Sequence, residues 1–258
     1  MFNGLFSPQA TNRLHPTPLR SVRTARKSRE STRIFPAICA YPRDSRAVLS
    51  LLFVCFVSFV VPPLSAAEAK TKTIVFFGDS LTAGYGLDDP LNESYPALIQ
   101  RKLDAAHLPY RVVNAGLSGE TSAGGLRRVD WILRQPVDVF VLALGANDGL
   151  RGIEPSVTRA NLQAIVDRVR TKNPAAKIVV AGMMMPASLG ADYARDYAAV
   201  FPEIAKKNHA TLIPFLLEGV AARDDLNQPD RIHPTPAGHA VIAETVWKIL
   251  HPLLESRP

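Results

Sequence analysis

The chain predicts an α/β protein, a three-layer α/β/α sandwich built on a parallel sheet of five strands. Two observations carry this expectation. From residue 73 onward, short runs rich in β-branched and aromatic residues alternate with longer amphipathic segments, and such alternation implies right-handed parallel crossovers. No internal repeat and no Pro/Gly-rich linker interrupts residues 73–251, so this span reads as one domain.

The first strand is expected at 73–77, where Thr-Ile-Val-Phe-Phe is an unbroken apolar run of strand length. A helix follows near 94–106, opened by Ser94 and with Pro96 close to its start. The second strand is placed at 111–114 and the next helix near 122–134. Residues 139–144, Val-Phe-Val-Leu-Ala-Leu, read as a strand buried on both faces. Pro155 opens a helix over 155–172, and strands at 177–182 and 211–213 enclose another near 192–208. A last helix is expected over 236–250, with Pro236 at its first position.

Composition sets the outer limits. The 258 residues are 47% apolar, enough for a substantial core. The net charge of +7 invites a nucleic-acid reading, but its distribution excludes one: nine of the 30 Lys/Arg and two of the 23 Asp/Glu lie in residues 1–67, which leaves 21 of each for 68–258. Residues 1–45 have the Arg-, Ser- and Pro-rich composition of a disordered basic extension. Arg46, the apolar run 47–61 and the small-residue end Ser65-Ala66-Ala67 describe a secretory signal peptide over 46–67, with cleavage near Ala67. An apolar run of fifteen residues falls short of the roughly twenty that span a bilayer, so stable membrane insertion is not expected after cleavage. A signal peptide normally begins a chain, which makes residues 1–45 a candidate for an upstream start assignment, a long basic lead or an organelle transit sequence. Both cysteines, Cys39 and Cys55, lie in this removable region. The domain is therefore compatible with an oxidising compartment and has no thiol for catalysis.

Function is legible in four short blocks. Gly78-Asp79-Ser80-Leu81 follows the first strand, Asn114-Ala115-Gly116 ends the second, Gly145-Ala146-Asn147-Asp148 follows the third, and Asp230-Arg231-Ile232-His233 precedes the last helix. A serine hydroxyl needs a base to take its proton, a group to orient that base and donors for the developing oxyanion. Ser80 is the expected nucleophile, His233 the base and Asp230 its orienting acid. The expected oxyanion donors are the N–H groups of Ser80 and Gly116 and the side-chain amide of Asn147. Asp79 reads as a loop-stabilising residue and Asp148 as a turn former bonding its own backbone. His107, His209 and His251 are placed at helix ends or beyond, and His239 in packing or at the surface.

These blocks resemble the GDSL, or SGNH, hydrolase family. Ser80, Gly116, Asn147 and His233 match its four signature positions, and the flanking Thr82–Gly86, Leu117–Ser122 and Gly149–Gly152 resemble its bacterial periplasmic branch of acyl-CoA thioesterases, lysophospholipases and arylesterases. The resemblance covers about residues 73–251 and implies a flavodoxin-like SGNH fold, a periplasmic location and small-molecule acyl ester or thioester substrates. Two residues depart from the pattern, Ala146 and Arg231, each where glycine is usual or frequent. Thr82 stands where the nucleophile elbow of α/β-hydrolases requires glycine. No dinucleotide, phosphate-loop or His-Glu-x-x-His motif is present, and the spacing of His233 and His239 suits no common metal set, so neither cofactor nor metal is expected.

Met183-Met184-Met185 ends the fourth strand at the same sheet edge. Methionines adapt to irregular apolar shapes, so Met184 and Met185, with Leu150 and with Leu189 on the following loop, are the expected lining of an acyl-chain groove. Tyr193 and Tyr197 are further rim candidates. The sequence thus predicts a secreted, monomeric serine esterase; a carbohydrate O-acetylesterase on the same scaffold and a catalytically inactive lipid-binding protein are the competing readings.

Overall fold

A computed structural model describes residues 71–255. The expected extension 1–45 and the expected signal segment 46–67 lie outside them. In chain order the elements are β1 (Lys72–Gly78), α1 (Ser80–Ala83), α2 (Pro90–Glu93), α3 (Tyr95–Ala105), β2 (Tyr110–Gly116), α4 (Ser122–Ile132), β3 (Val139–Ala143), α5 (Ala146–Leu150), α6 (Pro155–Lys172), β4 (Lys177–Ala181), a 3₁₀ turn (Ala187–Leu189), α7 (Ala191–Lys207), β5 (Thr211–Ile213) and α8 (Pro236–Glu255). The five predicted strands and five long helices are present. The one-turn helices α1, α2 and α5 were not anticipated.

All strand pairs are parallel and the sheet order is β2-β1-β3-β4-β5. β1 and β3 lie centrally, which is why Ile74, Phe76, Phe77, Phe140, Val141 and Leu142 are buried rather than alternately exposed. Edge strand β2 leaves Arg111 and Asn114 to solvent. Strand order reverses at β1, so right-handed crossovers send the helices to opposite faces. α3 packs with α8 in one set, and α4, α6 and α7 pack in succession in the other. On α6 the buried residues Thr158, Leu162, Ile165, Val166 and Val169 recur at helical spacing and form the face turned to the core.

The register positions the functional loops. Gly78 at the end of β1 pairs with Gly116 of β2 on one side and Ala143 of β3 on the other. Three adjacent strands therefore stop level with one another, and the chain leaving each enters the same carboxyl edge, where open parallel sheets place their sites. Among the described residues no helix is long and apolar enough to cross a membrane.

Candidate active site

Ser80 is the first residue of α1. Asp79 caps that helix, its Oδ1 accepting the Leu81 N–H at 3.0 Å, and this fixes the serine immediately beyond the central strand. The Ser80 N–H, like the first N–H groups of any helix, has no intrahelical acceptor, and none is found for it among the described residues. Asp79 is itself buried, and its Oδ2 has no partner among the described residues. Burial pushes its carboxyl up to about 7 against the opposing Leu81 hydrogen bond.

The loop before α8 brings the base to the serine. It is folded on itself by hydrogen bonds from Gln228 N–H to His233 O (2.7 Å), Arg231 N–H to Gln228 O (2.8 Å) and Thr235 N–H to Leu226 O (2.9 Å). Asp230 Oδ1 accepts the N–H groups of Ile232 and His233 at 2.9 and 3.0 Å, and Oδ2 lies 2.6 Å from His233 Nδ1. His233 Nε2 is 2.9 Å from Ser80 Oγ. Partial desolvation pushes the Asp230 carboxyl up, but hydrogen bonds from the His233 ring and from the His233 and Ile232 N–H groups prevail and hold it at about 2. An ionised Asp230 requires Nδ1 to carry a proton. Nε2 of the neutral ring is then the acceptor, and Ser80 donates to it. The Tyr85 ring lies over His233 with centroids 4.6 Å apart. Arg231, in the middle of this loop, has φ of 60°, the left-handed region that favours glycine; its side chain makes an exposed ion pair with Asp224 at 2.8 Å.

Asn147 sits in α5 just past β3. Its Nδ2 donates to Glu120 O at 3.0 Å, and the second N–H of that amide has no acceptor among the described residues. Asp148 corrects its expected local role. Its carboxylate is buried and reaches across to α4 and α6, accepting the Ser122 N–H at 2.7 Å, the Ser122 hydroxyl and, at 3.4 Å, the Thr158 hydroxyl. The helix that carries Asn147 is thereby pinned to two others.

Gly116 also differs from expectation. It is the last residue of β2, and its N–H is engaged by Asn114 Oδ1 at 3.0 Å. A Cβ there would lie 2.3 Å from Ala83 N, so its lack of a side chain lets α1 pack against β2. The unengaged N–H on this loop belongs to Gly119, for which no acceptor is found among the described residues. Gly119 has φ of 77° and occupies the third position of the turn closed by Glu120 N–H to Leu117 O at 3.1 Å. Arg151 Nη2 holds its carbonyl at 3.0 Å. The Ser118-Gly119 pair was the available sequence signal, since it is a turn dipeptide.

A cavity of about 620 Å³ opens beside Ser80, Asn147 and His233. Met183, Met184, Met185 and Leu150 line it, with Met185 buried and Met184 half exposed. Leu189 does not line it and lies exposed on the 3₁₀ turn. Neither tyrosine is at the rim as expected: Tyr197 is fully buried, and Tyr193 donates to Ile153 O at 2.8 Å. His239 is likewise fully buried, its Nδ1 accepting the Tyr95 N–H at 3.2 Å. His251 lies within α8, stacked on Trp247. Among the described residues no group of His, Cys, Asp and Glu is arranged to hold a metal ion.

The parallel sheet with a serine, histidine and aspartate at its carboxyl edge places this chain in the class of α/β hydrolytic enzymes. The chain belongs to the GDSL-like Lipase/Acylhydrolase family, whose model matches residues 76–241. It is 37% identical over 192 residues to "Esterase TesA" of Pseudomonas aeruginosa, covering 74% of this chain and 94% of that protein. It is 35% identical over 192 residues to "Thioesterase 1/protease 1/lysophospholipase L1" of Escherichia coli K12, covering 74% of this chain and 89% of the relative. Among solved structures, the "Crystal Structure of TesA" is similar with a TM-score of 0.67 and 37% identity, covering 70% of this chain and 99% of that one.

Two outcomes follow from the loop and cap geometry. An acid whose pKa rises on folding keeps a proton that the unfolded chain has released, so stability should fall as pH rises from about 4, the unfolded value, to about 7. Asp79→Asn keeps the capping oxygen and removes the titration. Its urea-unfolding free energy should gain on the wild type across that window by several kcal/mol, at about 1.4 kcal/mol per unit of pKa; parallel profiles would show that Asp79 titrates ordinarily. At Arg231, glycine and alanine both delete the ion pair, but only glycine relieves the left-handed backbone. Arg231→Gly should unfold at higher denaturant than Arg231→Ala by about 1 kcal/mol, and equal midpoints would contradict a strained loop.

Proposed function

We propose that the chain is a secreted serine esterase that hydrolyses acyl esters and thioesters through an acyl-enzyme. The observation that carries this reading is the continuous line from Asp230 through His233 to Ser80 Oγ, with contacts of 2.6 and 2.9 Å. Ser80 Oγ attacks the substrate carbonyl carbon while its proton passes to His233 Nε2. The resulting oxyanion is held by the N–H groups of Ser80 and Gly119 and the free amide N–H of Asn147, in place of the Gly116 N–H that Asn114 occupies. Collapse of this adduct expels the alkoxide or thiolate, which takes the proton from His233. Water then attacks the acyl-serine carbonyl, gives its proton to Nε2, and the acid leaves as Ser80 recovers that proton. Asp230 stays ionised throughout and stabilises the imidazolium.

The apolar character of the Met183–Met185 and Leu150 cavity supports acyl chains over sugars as the group bound. An acetyl-sugar esterase calls for a shallow polar groove instead. The names of the relatives supply the wider substrate range, thioesters and lysophospholipids, and a further relative from Vibrio mimicus, 34% identical over 184 residues, is named "Arylesterase". Export rests on the sequence alone, with 46–67 as the removed segment and 73–251 as the hydrolase domain.

Residues 68–258 should hydrolyse p-nitrophenyl esters with a maximum at medium chain length, and Ser80→Ala should abolish it. Asn147→Ala should lower kcat by about 10²–10³ with little change in KM. Activity confined to acetate would move the reading to the O-acetylesterase, and turnover surviving in Ser80→Ala would overturn the mechanism. For the leader, the full chain expressed in a Gram-negative host should yield a periplasmic species whose intact mass begins near Glu68; a cytoplasmic product retaining residues 1–45 would refute export.

A further inference from the structure

Arg128 touches none of the reacting groups, yet its guanidinium contacts the strand segments that lead to Ser80 and Gly119 and the side chain of Glu120, whose backbone carbonyl accepts the Asn147 amide. It lies on α4 with its side chain mostly buried, against a Glu120 side chain that is 4% exposed. Nε is 2.7 and 2.8 Å from the two oxygens of the Glu120 carboxylate, and Nη2 also contacts that carboxylate. The same Nη2 donates to Gly78 O at 3.2 Å and to Ala115 O at 2.8 Å. The guanidinium plane rests on the Phe77 ring, its carbon 4.2 Å from the ring centre. Gly78 is the last residue of β1 and Ala115 the next-to-last of β2, and the Ser80 and Gly119 segments follow these strands. Glu120 follows Gly119 directly, and its own carbonyl accepts the Asn147 amide.

Stability alone does not account for such an arrangement. Replacing a buried ion pair by well-packed apolar residues is often neutral or stabilising, and a planar fork satisfying several acceptors at once does something a point charge cannot. We propose that Arg128, with Glu120, is a positioning residue for catalysis, holding the Ser80, Gly119 and Asn147 donors in the geometry that receives the oxyanion. The inference rests on the serine-esterase reading above. Arg128 acts through these backbone segments, so its removal misplaces donors without altering the Ser80–His233–Asp230 relay.

The test compares wild type, Arg128→Lys, the charge-neutral pair Arg128→Met/Glu120→Gln, and Arg159→Met, which deletes an ion pair on the α6–α7 face as a control. Active sites are counted with a fluorophosphonate so that misfolded protein does not enter the rates. Displacement of a donor by about 1 Å should lower kcat per titrated site about 10²-fold in both Arg128 variants, with KM and the pH midpoints of kcat/KM unmoved. Alkyl boronic acids, which form a tetrahedral anion on the serine, should lose affinity by the same factor as kcat/KM. The neutral pair should retain the wild-type unfolding midpoint, which separates positioning from folding. Wild-type kcat per titrated site in both variants, or a loss seen only as fewer titratable sites, would overturn the proposal. Absence of Ser80-dependent turnover in the wild type would instead overturn the esterase reading beneath it.

Discussion

The parallel pairing of β1 with β2 and β3 is the constraint on which the site depends. Because Gly78, Gly116 and Ala143 stand level across three strands, the serine, the Leu117–Thr121 loop and the Asn147 helix emerge side by side without any long excursion. The register is fixed from below by burial. Phe76, Phe77, Phe140 and Leu142 cannot slip by one residue without exchanging the two faces of the sheet. Hydrophobic packing in the lower half of the molecule thus sets the positions of polar groups above it.

Those polar groups are held by bonds that cross between elements. Asp148 ties α5 to α4 and α6, Arg128 ties α4 to the ends of β1 and β2, and the Asn147 amide ties α5 to the Glu120 carbonyl. Each places charge or amide groups in partly buried surroundings, where the cost of desolvation is recovered only if the geometry is kept. These cross-element hydrogen bonds are therefore concentrated around Ser80, Gly119 and Asn147. The His233 loop is different: Asp230 is 40% exposed on its side chain, and the segment is closed by its own backbone hydrogen bonds.

Much of this was legible in the sequence, for reasons that also explain the omissions. The strands were readable because unbroken apolar runs such as Val-Phe-Val-Leu-Ala have one use in an alternating α/β chain, and Ser80, Asn147 and His233 stood out because their blocks occur together and in order, not because any of them is distinctive alone. Helices α1, α2 and α5 were not, since four or five residues carry no period. Asp148 was read as local, and His239 was left between packing and surface, because nothing in a linear string reveals that α6 or α3 will pack across them. The exchange of Gly116 for Gly119 has the same origin. Both glycines serve the edge, one by letting α1 approach and one by adopting a left-handed turn, and only the hydrogen bond to Asn114 separates their N–H groups.

The contact between Ser80 and His233 spans 153 positions of the chain, from the first described strand to the loop before the last helix. A chain that has not yet delivered residue 233 holds Ser80 without His233, and an unfolded chain holds both with nothing to bring them together. That contact forms only when the sheet has closed and its final loop has docked, so it marks completion of the fold across the whole described domain.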